Sequence, residues 1–252
     1  MFQPSFIPGL AVSVDYYDIT VNNVITSPAV QQALNACYDS PTLDNQFCAL
    51  FQRAGADGGP NGEIPFQILE GTYQDLPQNY ARLKARGLDT QVGYNHDFGV
   101  VRANLKGVWS HVFQRDDYTD PARPDYRNVL LNELSYPQDQ FNINTDLKFG
   151  RFTIGHTLRW IGGMYLNTFE DYNSVNGEPP QNPDYAEIAK YPAVTYNDVR
   201  FDLEMTDRFN FYGGVTNIGD VDPPYGLTGV GEGSGIYDNR GRFFYAGFRA
   251  RF

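Results

Sequence analysis

Histidine and cysteine are the side chains best suited to catalysis or metal binding, and this chain has few of them. Its 252 residues include three His and two Cys. His96 and Asp97 form the only adjacent His–Asp pair, and such a pair can act as a general base. His111 and His156 lie far from it in sequence. We interpret His96 and Asp97 as part of a solvated turn, so the sequence predicts no catalytic residue and no enzyme.

The two cysteines, Cys37 and Cys48, lie in a stretch rich in Pro, Asn and Asp. We favour a disulfide between them, formed in an oxidising compartment. The alternative is a pair of unpaired thiols in a loop. A metal site would need further ligands, and no His or other Cys lies nearby. We therefore predict neither a metal nor a cofactor.

Acidic pairs and tyrosines occur between the apolar stretches of the chain. The acidic pairs could bind a cation or a cationic ligand, although we favour a solvated surface; they are Asp116–Asp117, Glu170–Asp171 and Asp220 with Asp222. The tyrosines could stack on a sugar or pack the loops on one another; they are Tyr118, Tyr126, Tyr165, Tyr172 and Tyr185.

Composition limits the classes of protein that could position these residues. The net charge is −11, which argues against nucleic acid as a partner because a phosphate backbone requires a basic surface. No apolar stretch approaches the roughly 18 residues that a membrane helix needs. The chain has 18 Tyr, 18 Phe and 25 Gly, with a mean hydropathy of −0.46. Many aromatic residues with a modest apolar total favour short strands with one apolar face.

Alternation of apolar and polar residues predicts eight strands. In 141–149, for example, Phe141, Ile143, Leu147 and Phe149 share one face. The eight predicted strands are 10–25, 80–95, 101–113, 141–149, 152–160, 199–205, 209–217 and 242–252. The pattern changes phase near Gly87, which suggests a β-bulge there.

The connections between these strands alternate without exception between short and long. Short turns are predicted near 96–98, 150–151 and 206–208, and long polar loops at roughly 26–79, 114–140, 166–196 and 218–241. An outer-membrane barrel has this asymmetry, with tight periplasmic turns and long extracellular loops. Aromatic residues beside the short turns would meet the interface of the outer-membrane lipid. We therefore predict an all-β fold, an antiparallel transmembrane β-barrel of meandering strands.

The last strand has apolar residues at alternate positions. Phe244, Ala246, Phe248, Ala250 and Phe252 share one face, whereas Arg249 and Arg251 point the other way. Since Arg is costly opposite lipid, the even-numbered residues should face the membrane. A final strand of this kind, ending on an aromatic residue, resembles the signal read by the barrel assembly machinery.

Four segments, in order along the chain, resemble TonB-dependent receptors. Val215–Asp220 followed by Pro223-Pro224 is similar to the stretch after the penultimate strand of that family, and Tyr237 to Phe252 to its closing strand. Residues 79–89 resemble the start of an earlier strand. The Cys37 to Cys48 loop followed by Phe51-Gln52-Arg53 is similar to a loop of one proteobacterial branch.

The resemblance implies a larger protein than this chain. It implies a 22-stranded barrel with an N-terminal plug, of which residues 1–252 would be a partial barrel domain holding the last eight strands. Such a receptor imports a ferric siderophore, cobalamin or an oligosaccharide across the outer membrane of a Gram-negative bacterium. Contact with the TonB system would run only through the plug region, and the substrate stays unknown.

The first residues, Met1-Phe2-Gln3-Pro4, have neither a basic region nor an apolar region typical of a signal peptide. We therefore expect the sequence to begin partway through a larger protein. One alternative is a complete small eight-stranded outer-membrane barrel with a structural or adhesive role. Another is a soluble β-protein that binds a ligand.

Overall fold

The structure is a computed structural model, and it describes residues 1–224 and 234–251. Eight long strands dominate it, with a few short elements in the connections. In chain order the elements are β1 (Leu10–Thr26), α1 (Val30–Tyr38), β2 (Gln78–Asp97), β3 (Arg102–Tyr118), β4 (Asn128–Val129), β5 (Asp139–Phe149), β6 (Phe152–Ile161), β7 (Met164–Tyr165), α2 (Phe169–Tyr172), β8 (Lys190–Tyr191), β9 (Val194–Glu204), β10 (Phe209–Thr216) and β11 (Phe243–Ala250). Single 3-10 turns occupy Cys48–Leu50 and Ser234–Ile236.

The long strands form one antiparallel meander. The order in the sheet is β1-β2-β3-β5-β6-β9-β10-β11, with β4 beside β3, while β7 and β8 pair separately. All eight predicted strands are present, and the prediction of an antiparallel barrel fold is confirmed in its strand order. Within the described ranges the sheet is open, because β1 and β11 are at opposite ends of this order. Neither helix of these ranges is long and apolar enough to cross a bilayer.

Several strands are longer than the alternation predicts. β3 continues to Tyr118, where Asp116 and Asp117 pair with Val129 and Asn128 of β4. β9 begins at Val194, five residues before the predicted start. Backbone pairing continues where both faces are polar, so alternation of hydrophobicity ends before the strand does.

The predicted turn at 96–98 is wrong in its position. His96 and Asp97 belong to β2 and pair with Ala103 and Arg102 of β3. The turn is formed by residues 98–101, where the Val101 carbonyl accepts a hydrogen bond from the Phe98 amide at 2.9 Å. The Asp97 carboxylate stabilises this turn, because it accepts a hydrogen bond from the Gly99 amide at 2.8 Å and pairs with Arg102 at 3.0 Å.

The predicted bulge near Gly87 is confirmed, and it affects the partner strand. Arg86 pairs with Gln114 and Gly87 with Val112, so Phe113 of β3 is the extra residue. A second irregularity lies between β1 and β2, where Asn23 has a φ of 55°. Such bulges change which side of the sheet the following side chains face, near the ends of the strands that lead into the long loops.

Four long connections lie at one end of the sheet. We name them L1 (27–77), L2 (119–138), L3 (162–193) and L4 (217–242, described at 217–224 and 234–242). The three short turns, at 98–101, 150–151 and 205–208, lie at the other end. The predicted alternation of short turns and long loops is therefore confirmed.

Candidate functional site: the polar face and the loops

The strand register sorts the side chains of the sheet into an apolar face and a polar face. Directly paired residues of neighbouring strands share a face. Phe248 pairs with Phe211, Phe211 with Leu203, and Leu203 with Phe152. This apolar row continues through Phe149 of β5. The prediction that Phe244, Ala246, Phe248 and Ala250 share one face agrees with their pairing to Val215, Gly213, Phe211 and Phe209. Phe252 lies outside the described residues.

The polar face carries ion pairs and hydrogen bonds that join non-adjacent parts of the chain. Arg200 of β9 pairs with Asp146 of β5 across β6, where Gly155 leaves room for the Arg side chain. Further bonds on this face are Ser110 to Asp89 at 2.6 Å, Thr157 to Asn144 at 2.8 Å and Asn210 to Asp202 at 2.7 Å. Such a face can be wetted and can present donors and acceptors to a polar ligand.

Arg159 connects the polar face to L4. Its guanidinium lies 3.9 Å from the Asp198 carboxylate and 3.4 Å from that of Asp238 in L4. It also lies over the Tyr196 ring, 5.1 Å from the centroid. Next to it, a groove of about 540 Å³ is lined by Lys106, Gln140, Asn142, Arg159 and Ile236, among others. This groove combines a basic group, amides and an apolar wall, which is a composition suited to a bulky polar ligand.

Among the residues that the structure describes, the three histidines do not form a hydrolytic triad. His96 and Asp97 occupy successive strand positions and therefore lie on opposite faces of β2. The structure instead joins His111 to Asp139, with 2.7 Å between His111 Nδ1 and Asp139 Oδ1, and the Trp109 indole donates to the same oxygen at 3.0 Å. Ser110 lies on the other face of β3. The sequence did not indicate the His111–Asp139 pair, because only the register of β3 and β5 brings these residues together.

L1 is held by the two cysteines. The structure joins Cys37 and Cys48 in a disulfide with a Cα–Cα distance of 4.8 Å. Ala33, Leu50 and Phe51 pack around the bridge as a small buried cluster. The disulfide therefore anchors α1 to the following turn within L1.

L2, L3 and L4 pack on one another above the sheet. Met164 of L3 and Tyr237 of L4 are buried with Ile161, Val194 and Tyr196 at the strand ends, and Leu134 of L2 packs against them. Burial raises the pKa of Tyr237 to about 12, with the neighbouring Tyr196 and Tyr191 adding to the shift. The loops above the polar face thus have a core of their own.

The predicted tyrosines divide between packing and exposure. The Tyr165 and Tyr172 rings stack with their centroids 5.3 Å apart. The Arg82 guanidinium lies over the ring of the buried Tyr118, 4.0 Å from its centroid. Tyr126 donates to Glu178 of L3 at 3.2 Å. Tyr185 alone among these five is exposed. Most of the predicted tyrosines therefore stabilise the loops.

The acidic pairs have different environments. Asp116, Glu170 and Asp171 are buried, whereas Asp220 accepts a hydrogen bond from the Arg242 amide at 2.8 Å and fixes the start of the last hairpin strand. Asn217 is fully buried and closes the adjacent turn, since its side chain bonds both the amide and the carbonyl of Val221 at 2.9 Å. In the described part of the chain no group of three or more His, Cys, Asp or Glu is arranged to hold a metal ion.

Comparison with known proteins gives a family and a fold. The family model described as "TonB dependent receptor-like, beta-barrel" matches residues 3–218. No curated protein matches the chain. Among solved structures, the siderophore receptor PirA from Acinetobacter baumannii has a TM-score of 0.57 at 13% identity, over 100% of this chain and 30% of that one.

Two further solved structures have the same fold. A mutant of the ferric enterobactin receptor PfeA from Pseudomonas aeruginosa has a TM-score of 0.58 at 17% identity, over 97% of this chain and 29% of that one. The pyoverdine outer membrane receptor FpvA from Pseudomonas aeruginosa has a TM-score of 0.51 at 15% identity, over 97% and 27%. The chain thus spans about 30% of the length of PirA, the first of these structures.

Proposed function

The chain belongs to the TonB-dependent receptor-like β-barrel family, and from this premise we propose that it takes part in the uptake of a bulky nutrient. It is an outer-membrane protein of a Gram-negative bacterium and a receptor, not an enzyme. We propose that its apolar face meets the lipid of that membrane, and we call it the lipid face. The nutrient we propose is a ferric siderophore, cobalamin or an oligosaccharide.

The polar face of the sheet is the observation that carries this proposal. Arg200 with Asp146, and Arg159 with Asp198 and Asp238, line the side of the sheet opposite the lipid. The groove of about 540 Å³ beside Arg159 opens on that same side. A wall of paired charges and amides next to a groove supports passage of a large polar ligand.

Ligand binding by the full chain in detergent micelles tests the proposal. Binding is followed by isothermal titration calorimetry, because the Trp160 ring stacks on Phe141 on the apolar face and would not report a ligand on the polar face. Ferric siderophores, cobalamin and oligosaccharides would be titrated separately against the chain and against Arg159→Gln. Saturable binding of one class, weakened in Arg159→Gln, supports the proposal. Absence of binding by all three classes would contradict it.

Coupling to TonB is proposed to run through a plug region. In support, the chain spans about 30% of PirA, and the family model that it matches is that of the barrel. We propose that residues 1–252 act as a partial barrel domain. Reconstituted in liposomes, this chain should therefore show no TonB-dependent ligand uptake, and uptake that depends on TonB would refute this assignment.

The alternative of a complete small eight-stranded barrel receives little support. Closure would require β1 to pair with β11, and these strands lie at opposite ends of the sheet order in the described ranges. The outer edge of β1 is instead approached by Phe2, whose amide donates to the Val12 carbonyl at 2.6 Å. That edge of β1 therefore carries an isolated bridge to Phe2, and no pairing with β11 occurs in the described ranges.

We also propose that β11 is recognised by the barrel assembly machinery. Phe244 and Phe248 are 68% and 75% exposed on the lipid face, more than most apolar residues of the sheet. Ala246 and Ala250 lie on the same face of β11. The proposed signal also includes Phe252, which is assigned from the sequence pattern alone. When a strand is added to an edge strand, main-chain hydrogen bonds provide the affinity and side chains at alternate positions provide the specificity.

A further inference from the structure

L2 and L3 are joined by direct hydrogen bonds from backbone amides to acidic side chains. The Val129 amide of L2 donates to Glu170 Oε1 of L3 at 2.7 Å. In the other direction, the Phe169 amide of L3 donates to Glu133 Oε1 of L2 at 2.9 Å. We name this contact the L2–L3 junction. Its two acids occupy reciprocal positions, each holding the other loop.

The junction gathers more negative charge than the residues around it balance. Five carboxylates lie there: Asp116, Asp117, Glu133, Glu170 and Asp171. Arg127 forms an ion pair with one of these carboxylates, that of Asp116, at 3.9 Å. A buried carboxylate is costly unless a cation or several hydrogen bonds compensate it.

Neutral hydrogen-bond donors serve most of these acids, and one oxygen is left over. Gln114 donates to Asp116 at 2.6 Å, Asn128 to Asp117 at 3.0 Å, and Asn167 to Asp171. Glu170 is only 6% exposed, and its Oε2 is buried without a hydrogen-bond partner in the described part of the chain. A buried carboxylate oxygen without a partner requires an explanation, and a bound ion is one.

Glu133 is the acid placed to share such a partner with Glu170. It holds the amide of Phe169, the residue directly before Glu170. Burial raises the pKa of the Glu133 carboxyl, and the nearby Glu170, Asp117 and Asp171 raise it further, against the opposing effect of the Phe169 amide. The electrostatic potential at Glu133 is therefore negative. Of the neighbouring carboxylates, Glu170 has the largest effect on the pKa of Glu133.

We propose that the L2–L3 junction binds a Ca²⁺ ion, with Glu170 Oε2 as a ligand and Glu133 as the second carboxylate. Ca²⁺ accepts carboxylates together with backbone carbonyls and water in irregular geometry. Two carboxylates can serve such a site when carbonyls and water complete the coordination. The ion would neutralise the buried oxygen and tie L2 to L3.

This proposal goes beyond ligand uptake and does not depend on it. The alternative neutralising agent is a proton, which would also remove a negative charge from the junction. The two differ in a simple way: a Ca²⁺ site responds to Ca²⁺ at constant pH, whereas protonation responds to pH and not to Ca²⁺.

Calcium titration of the full chain in detergent micelles, after treatment with a chelator, tests the site at constant neutral pH. Binding is followed by calorimetry, and unfolding temperature by circular dichroism, with Mg²⁺ as the comparison ion. We expect saturable Ca²⁺ binding and a higher unfolding temperature with Ca²⁺ than with Mg²⁺. Glu170→Gln should weaken Ca²⁺ binding by about an order of magnitude or more, since charge count sets affinity.

The matched control is Asp184→Asn, which removes an exposed acid of the same loop. It should bind Ca²⁺ like the unaltered chain. If Glu170→Gln does not fold, the titration of the unaltered chain and of Glu133→Gln still decides the question. No Ca²⁺ response by the unaltered chain, or equal binding by Glu170→Gln, overturns the proposal. Stabilisation by acid alone, without a Ca²⁺ response, would also overturn it and identify the proton instead.

Discussion

The phenol of Tyr245 lies over Gly214 of the neighbouring strand, and the two residues are direct partners in the register of β10 and β11. A methyl group on Gly214 would lie 2.5 Å from the Tyr245 hydroxyl oxygen and 2.6 Å from the Val199 carbonyl oxygen. Tyr212 and Gly247 repeat this relation in the opposite direction across the same two strands. Glycine is therefore required at position 214, where the neighbouring backbone leaves no room for a methyl group.

Gly214→Ala should destabilise the folded chain by about 1–3 kcal/mol, because overpacking against backbone cannot be relieved by a rotamer change. Urea unfolding in detergent micelles, followed by tryptophan fluorescence, measures the difference. Gly93→Ala is the control, since no heavy atom lies within 4 Å of a methyl group at that position of β2. If both variants unfold at the same urea concentration, the role given to Gly214 is wrong.

Ile154→Lys should be far more destabilising than Thr153→Lys, although the two positions are adjacent in β6. Ile154 pairs with Leu147 and Phe201 on the apolar face, which we propose meets lipid, and Thr153 pairs with Lys148 and Asp202 on the polar face. A Lys facing lipid costs about 2–4 kcal/mol at the midplane and less toward the interface, so a loss of about 1–2 kcal/mol is expected at Ile154, which lies near the turn at 150–151. Refolding yield and urea midpoint in lipid vesicles provide the measurement. Equal loss in both variants would contradict the assignment of faces.

Replacing both cysteines by Ser should loosen L1 and leave the sheet intact. The bridge links residues 11 apart and lies in the cluster formed by Ala33, Leu50 and Phe51. Loss of such a bridge costs about 2–4 kcal/mol of local stability. Limited proteolysis should cut between residues 38 and 47 faster in the Cys37→Ser, Cys48→Ser double variant. Unchanged proteolysis would show that packing alone holds the loop.

The L2–L3 junction should be most stable at acid pH when Ca²⁺ is absent. Burial raises the pKa of Glu133 above its ordinary value, so the folded state binds this proton more tightly than the unfolded state. This stabilisation is full below the unfolded pKa and is lost as pH rises through the folded pKa. In chelator, proteolytic protection of L3 should fall over that range in the unaltered chain. Glu133→Gln should flatten the profile, and a profile that keeps its slope would exclude Glu133 as the group.

Phe248→Ser should lower the amount of folded protein in the outer membrane, because it removes an exposed apolar residue of the proposed assembly signal. Phe243→Ser is the matched control, since Phe243 lies on the other face of β11 and pairs with Thr216. Folded protein is measured in outer-membrane fractions by its heat-dependent mobility on gels. Similar accumulation of both variants would remove the support for a face-specific signal.

Alternation of side chains was sufficient to predict all eight long strands, because the two-residue period is a local property of a strand. It also indicated that Phe244 and Phe248 share a face opposite Arg249. It failed at the ends of the strands that lead into the long loops. There Gln114 to Tyr118 continue β3 by pairing with other backbone, and no hydrophobic pattern marks that pairing.

The candidate site was also predictable only in part from the sequence. The sequence singled out Glu170 and Asp171 as an acidic pair, but it gave no indication that Glu170 binds the amide of Val129, 41 positions away. His111 and Asp139 likewise meet through register. Both contacts depend on loop packing and strand pairing between segments that are distant in sequence. The local sequence around each residue does not indicate them.

By itself, the sequence determined that this chain forms amphipathic antiparallel strands joined by alternating short turns and long loops. Side-chain period and turn residues are local, so they can be read along one segment at a time. The tertiary structure alone decided how L2, L3 and L4 pack, which carboxylates are buried, and that β1 and β11 stand at opposite ends of the sheet order. Those features arise from contacts between segments whose separation in space is fixed only once the whole sheet has formed.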